Sequence, residues 1–168
     1  MSDKTKIKLG SIIFLAVIAL SLIISQIASP DFPLLWNLKR SQEKVFLRLK
    51  SNPQEKLDYM KGLLDRRLDE LSKVVSNENY GYVLKSSLRY STLAGQITEQ
   101  IITNNFKDEV QPTIDQFTAH QKVLMNLYEI YPKNIPNNED WKFIQDDYNY
   151  LKIYLGKLSK SRQEEQKF

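Results

Sequence analysis

The stretch "LGSIIFLAVIALSLIISQIA" over residues 9–28 contains no charged residue, and it constrains the chain more than any other feature. As an α-helix rising about 1.5 Å per residue, it matches the roughly 30 Å hydrocarbon core of a bilayer. The expectation is one transmembrane helix, with the lipid bilayer as the partner of residues 9–28. A cleaved signal peptide is the competing reading. Its apolar region normally runs about 7–15 residues and ends in a small-x-small site. Here Gln26 stands two positions before Ala28, and Ile23 two before Ser25, so neither offers such a site. The chain has no cysteine, which removes lipoprotein modification and means that any fold is held by packing rather than by disulfides.

Orientation follows from Lys4, Lys6 and Lys8, which crowd the front edge of the span with only Asp3 opposing them. Positive charge of this kind marks the cytoplasmic side. Lys39 and Arg40 follow the span, but a long C-terminal domain is translocated largely regardless of its charge. The expected placement is a single-pass plasma-membrane protein. Residues 1–8 form a cytoplasmic tail, 9–28 the transmembrane helix, 29–33 a tether, 34–158 an extracytoplasmic helical domain and 159–168 a charged C-terminal tail. The net charge of +4 owes much to the N-terminal lysines, and elsewhere both signs are mixed. There is no concentrated basic face, so no nucleic-acid partner is expected.

Beyond the span, Pro30 and Pro33 disfavour helix at the residues before them. Phe32 and Trp36 are candidate membrane-interface residues, because amphipathic rings settle at headgroup level. Apolar residues then recur at helical spacing. Leu35, Leu38, Val45, Phe46 and Leu49 predict a first helix, ended at "SNPQE", where Asn52 can cap, Pro53 can take the first helical position and Glu55 can reach back. Leu57, Met60, Leu64, Leu68, Leu71 and Val75 predict a second helix to about Ser76. After a loop with Gly81, a third helix over about 82–105 is expected to turn Leu84, Leu88, Ile97, Ile101 and Ile102 inward. Its small-residue stretch "SSLRYSTLAG" would let a neighbouring helix approach closely. Pro112 is read as opening a fourth helix through Ile114, Phe117, Leu124, Leu127, Tyr128 and Tyr131. Asn138 is read as capping a fifth through Trp141, Ile144, Tyr148, Leu151, Leu155 and Leu158. No stretch alternates as strands do. The expected fold is all-α: the N-terminal transmembrane helix, then an antiparallel up-and-down bundle of about five helices.

Residues 30 to about 102 carry "FPLLWNLKRSQEK", then the break "SNPQEK", then "RRLDEL". This arrangement resembles the bacterial family catalogued as domain of unknown function 5667, with Trp36 standing where that family tends to have tyrosine. The resemblance implies an envelope-associated helical domain and no particular reaction.

Chemistry-bearing motifs are sparse. His120 is the only histidine and cysteine is absent, so zinc sets built from several His and Cys ligands cannot be assembled within one chain, and no thiol nucleophile exists. The "SQEK" at residues 41–44 matches a serine-x-x-lysine, but its companion elements are missing. Asp146 and Asp147 are adjacent, which on a helix separates them by about 100°. His120 reads as a surface or hydrogen-bonded histidine rather than a proton switch. No cofactor and no enzymatic activity are expected. The candidate partner-binding residues are Arg66 and Arg67, within the mixed-charge hairpin formed with Lys39, Arg40, Glu43, Asp65, Asp69 and Glu70, and Tyr150 and Tyr154, which with Phe143 form a second aromatic row on the fifth helix. The expected role is a membrane-anchored, non-catalytic interaction or scaffold domain with an unknown protein partner. The alternative is an accessory or sensor-like subunit acting on a neighbouring membrane protein through its transmembrane helix.

Overall fold

The structure, a computed structural model, describes residues 33–165 and, in isolation, Leu20. Among the described residues there are five α-helices and no strand: α1 (Pro33–Leu49), α2 (Pro53–Ser76), α3 (Val83–Thr103), α4 (Lys107–Ile130) and α5 (Trp141–Glu165), with a 3-10 turn at Tyr80–Tyr82. None of these helices is long and apolar enough to cross a membrane. The span expected over residues 9–28 lies, apart from Leu20, outside the described residues, as does Phe32. The chain divides into two compact units, Met1–Leu49 and Lys50–Phe168.

In the first unit, α1 does not bury the stripe its hydropathy suggests. Leu38, Val45, Phe46 and Leu49 are exposed, whereas Trp36 (1% exposed), Lys39 and Glu43 are buried. Positions 36, 39 and 43 themselves step by three and four, so the buried face is helical in period but partly charged, and a hydropathy count passes over it. Lys39 lies over the Trp36 ring, its Nζ 5.7 Å from the centroid. Trp36, read above as a headgroup-level residue, is therefore enclosed.

The second unit is a four-helix arrangement whose boundaries follow from local chemistry. Asn52 caps α2, accepting from the Gln54 N–H at 2.8 Å with Pro53 in the first turn. Glu55, read as reaching back to that cap, meets Lys50 at 3.4 Å. Both α2 and α3 end in the reciprocal pattern in which the residue after the cap adopts a left-handed conformation. At α2 that residue is Glu78 (φ 60), with Asn79 N bonded to Val74 O and Glu78 N to Val75 O. At α3 it is Asn105 (φ 52), with Phe106 N bonded to Ile101 O and Asn105 N to Ile102 O. Glu78 rather than Gly81 thus makes the turn in the α2–α3 loop.

The start of α4 differs from the expectation: the helix begins at Lys107, and Pro112 lies inside it. Asp108 and Glu109 place negative charge in the first turn, where the helix dipole favours it. Glu109 also accepts from Lys61 (2.8 Å) and Gln54 (2.7 Å) of α2, and Val110 is buried. These anchors outweigh the missing Pro112 donor. At the other end of the chain, α5 runs through Glu165, into the charged stretch assigned to a tail from residue 159.

Packing follows a ring in the order α2, α3, α5, α4. Sequence neighbours α2 and α3 are antiparallel, as are α4 and α5; α2 lies parallel to α4, and α3 parallel to α5. The α3–α5 approach is close because of the small residues: Ser87 Oγ donates to the Phe143 carbonyl at 3.2 Å, and a Cβ added at Gly95 would lie 2.8 Å from the Tyr154 hydroxyl oxygen. The α2–α4 side is bridged instead by long polar side chains.

The buried face of α3 is Val83, Ser87, Tyr90, Ala94, Ile97 and Ile101, a seam of alternating steps of four and three. Leu84, Leu88 and Ile102, read above as inward, are exposed. Ile97→Ala should therefore cost about 2–5 kcal/mol, and Leu88→Ala less than about 0.5 kcal/mol. Urea melts of the purified protein check this; equal losses would place Leu88 back in the core.

Candidate functional site

The same three-four stepping runs through α4 as Val110, Thr113, Phe117, His120, Leu124 and Leu127, and through α5 as Ile144, Asp147, Leu151 and Leu158. Each of the three helices thus places polar side chains at one level of an otherwise apolar seam: Ser87, Tyr90 and Ser91 from α3, His120 from α4, Asp147 from α5. All five are buried. This polar layer is the most chemically distinctive feature of the unit.

One half of the layer is hydrogen-bonded to the surface. The Tyr90 hydroxyl lies 3.0 Å from His120 Nδ1, and His120 Nε2 lies 2.9 Å from Asp65 Oδ1 on α2. Asp65 is 59% exposed and also accepts from the Gln116 amide. An ionised carboxylate can only accept, so the imidazole proton sits on Nε2. Nδ1 is then left to accept from the Tyr90 O–H. Burial lowers the His120 pKa below 6.5, and the attraction of Asp65 offsets only part of this. Burial likewise raises the Tyr90 phenol, with the Asp147 and Asp65 charges adding to the effect. The line Tyr90, His120, Asp65 is therefore a chain of neutral donors ending on a surface carboxylate.

The other half is not satisfied in this way. Asp147 is 1% exposed, and neither of its carboxyl oxygens receives a hydrogen bond. The nearby serine hydroxyls align best with backbone carbonyls, Ser87 with that of Phe143 and Ser91 with that of Ser87 at 3.0 Å, and serve Asp147 only as partial donors. Burial raises the Asp147 pKa well above the ordinary carboxylate value. Ser87 and Ser91 offset part of that rise, and the like charge of Asp146 adds to it.

The residues singled out from sequence lie elsewhere. Arg66 is half-buried, its guanidinium 5.5 Å from the centroid of the Tyr59 ring. Arg67 donates to the Arg89 carbonyl, and Arg89 pairs with Glu70 at 3.1 Å in a largely enclosed bridge between α2 and α3. Tyr150 is 46% exposed, and Tyr154, half-buried against Gly95, stacks beside it with ring centroids 6.4 Å apart. Since α2 and α5 occupy opposite corners of the ring, the arginine pair and the tyrosine pair do not form one site. Tyr154 instead lines a groove of about 400 Å³ with Gly95, Thr98, Glu99, Ile102, Thr103 and Lys157. Among the described residues, no group of three His, Asp or Glu side chains is placed to hold a metal ion.

Compared with known protein families, with curated proteins and with solved structures, the chain matches none.

A histidine whose folded pKa is depressed contributes fully above its unfolded value and loses stability as pH falls below it. Wild type should therefore lose stability relative to His120→Gln as pH falls from about 6.5, read as the difference between their urea midpoints across that range. A constant difference would mean that His120 titrates normally in the folded state.

Proposed function

We propose that the chain is a non-catalytic interaction or scaffold domain, anchored in the plasma membrane by residues 9–28 and displayed on the extracytoplasmic side. One observation carries the interaction reading: the α3–α5 pair presents apolar side chains outward along its length. Leu84 and Leu88 (56% exposed) lie one helical turn from Ser87 and Ser91 on the flank of α3 that turns toward α5. Tyr150 continues the row on α5, and the groove beside Tyr154 and Ile102 extends it. Tyrosine, with an apolar ring and a polar tip, suits such interfaces. The groups best suited to acid-base chemistry, Tyr90, His120 and Asp147, are by contrast enclosed. The anchor itself rests on the uncharged span and the lysines before it, and the resemblance of residues 30–102 to the uncharacterised bacterial family implies the same envelope setting.

The partner expected is a neighbouring membrane or envelope protein. Co-purification of the full chain from gently solubilised membranes should recover it in stoichiometric amount, and Leu88→Lys with Tyr150→Lys should abolish recovery while leaving helicity intact. Loss of the partner only when residues 9–28 are exchanged for an unrelated span would instead assign the accessory-subunit role. Recovery of no partner, or digestion of the domain by protease only after cell lysis, would contradict the displayed interaction domain.

A further inference from the structure

We propose that Asp147 is a proton-operated latch between α3 and α5: as the neutral acid it lets the pair close, and on losing its proton it drives the pair apart. Ser87 and Ser91 each own one hydroxyl hydrogen, and both are given to backbone carbonyls, at 3.2 Å and 3.0 Å. What faces Asp147 across the helix pair is then two hydroxyls already engaged with carbonyls, which ease its ionisation only in part, and neither carboxyl oxygen has a well-formed hydrogen bond. A protonated carboxyl brings no charge into the seam and leaves both serine hydroxyls with their carbonyls. An ionised one leaves a charge enclosed with no cation beside it and only partial help from two serines, which is strongly unfavourable in a poorly solvating interior.

No neighbour provides full compensation. On α3 the facing groups are Ser87, Tyr90 and Ser91, and Tyr90 is already engaged with His120. From α4, His120 is committed to Tyr90 and Asp65, and the Gln121 amide to the Tyr148 carbonyl. On α5 itself the nearest charge is Asp146, of like sign, and the aromatic neighbour is Tyr154. Further along the same seam a Cβ added at Gly95 would lie 2.8 Å from the Tyr154 hydroxyl oxygen, so the pair leaves little room for a hydrated carboxylate. Ionisation must therefore be accompanied by separation of the helices, which admits water to Asp147. The displaced proton goes to solvent, and no other group changes state.

The test compares the full chain with Asp147→Asn, which keeps the shape and cannot ionise. Amide hydrogen exchange of α3 and α5 should rise faster with pH in wild type than in D147N, by up to about tenfold per pH unit above the ordinary carboxylate range, the increment set by release of one proton on opening. Infrared spectra of wild type at neutral pH should show the carbonyl band of a protonated carboxylic acid, shifted by carbon-13 labelling of aspartate and absent from D147N. Should D147N fail to fold, the labelled band and its loss on raising pH remain readable in wild type alone. Equal pH slopes in the two proteins, or no acid band at neutral pH, would overturn the latch.

Discussion

The hydrogen bond between Tyr90 and His120 is where the bundle meets its hardest constraint, because it commits two large polar side chains to the level at which α3, α4 and α5 converge. A buried donor or acceptor left unmatched costs about 1–3 kcal/mol, so the surrounding geometry has to serve that layer. His120 must present Nδ1 inward, which requires its Nε2 to find an acceptor on the far side. Asp65 of α2 provides it at 2.9 Å. The position of α2 beside α4 is thereby tied to the tautomer of one ring. The row of Gln54, Lys61 and Gln116 contacts along the same side holds α2 parallel to α4, where helices bridged by apolar side chains alone would settle closer.

The layer also gives the fold two opposing pH dependences. His120 is depressed, so its contribution falls away below about 6.5. Asp147 is raised, so its contribution is greatest where folded and unfolded states are both protonated and declines as pH rises above the ordinary carboxylate range. A core made wholly of Leu and Ile would carry neither dependence. Such sites are where local consistency gives way to another requirement, and here the requirement falls on the helix pair that bears the exposed Leu84, Leu88 and Tyr150.

Helix boundaries were legible at Asn52 and Pro53 of α2 and at the proline-rich turn before α5; Asn138, read as the cap of α5, instead accepts from the Asp140 N–H and the Tyr131 hydroxyl ahead of a helix that begins at Trp141. The apolar centres Ile97, Ile101, Phe117, Leu124, Ile144, Leu151 and Leu158 were legible as well, since burial rewards what hydropathy measures. Hydropathy misplaced the faces whose buried members are small or polar. In α3 the seam passes through Ser87, and counting only leucines rotates the helix toward Leu84 and Leu88. In α5 the step from Ile144 to Leu151 passes through Asp147, where an apolar reading selects Tyr148. The signal was present as a three-four stepping that included a serine, a histidine and an aspartate, but only the fold shows that those three positions share one level. The first turn of α4 was missed for a related reason: its stabilisation comes from Lys61 and Gln54, 48 and 55 residues away, and no local rule reports it.

Central to this fold is a directional line with a neutral imidazole, Tyr90 donating to His120 and His120 donating to Asp65. Nitrogen-15 NMR of the His120 ring in the folded protein at neutral pH measures it most directly. The account predicts a neutral imidazole with its proton on Nε2 and an unprotonated, hydrogen-bonded Nδ1. An imidazolium signal, or a proton on Nδ1, would contradict it.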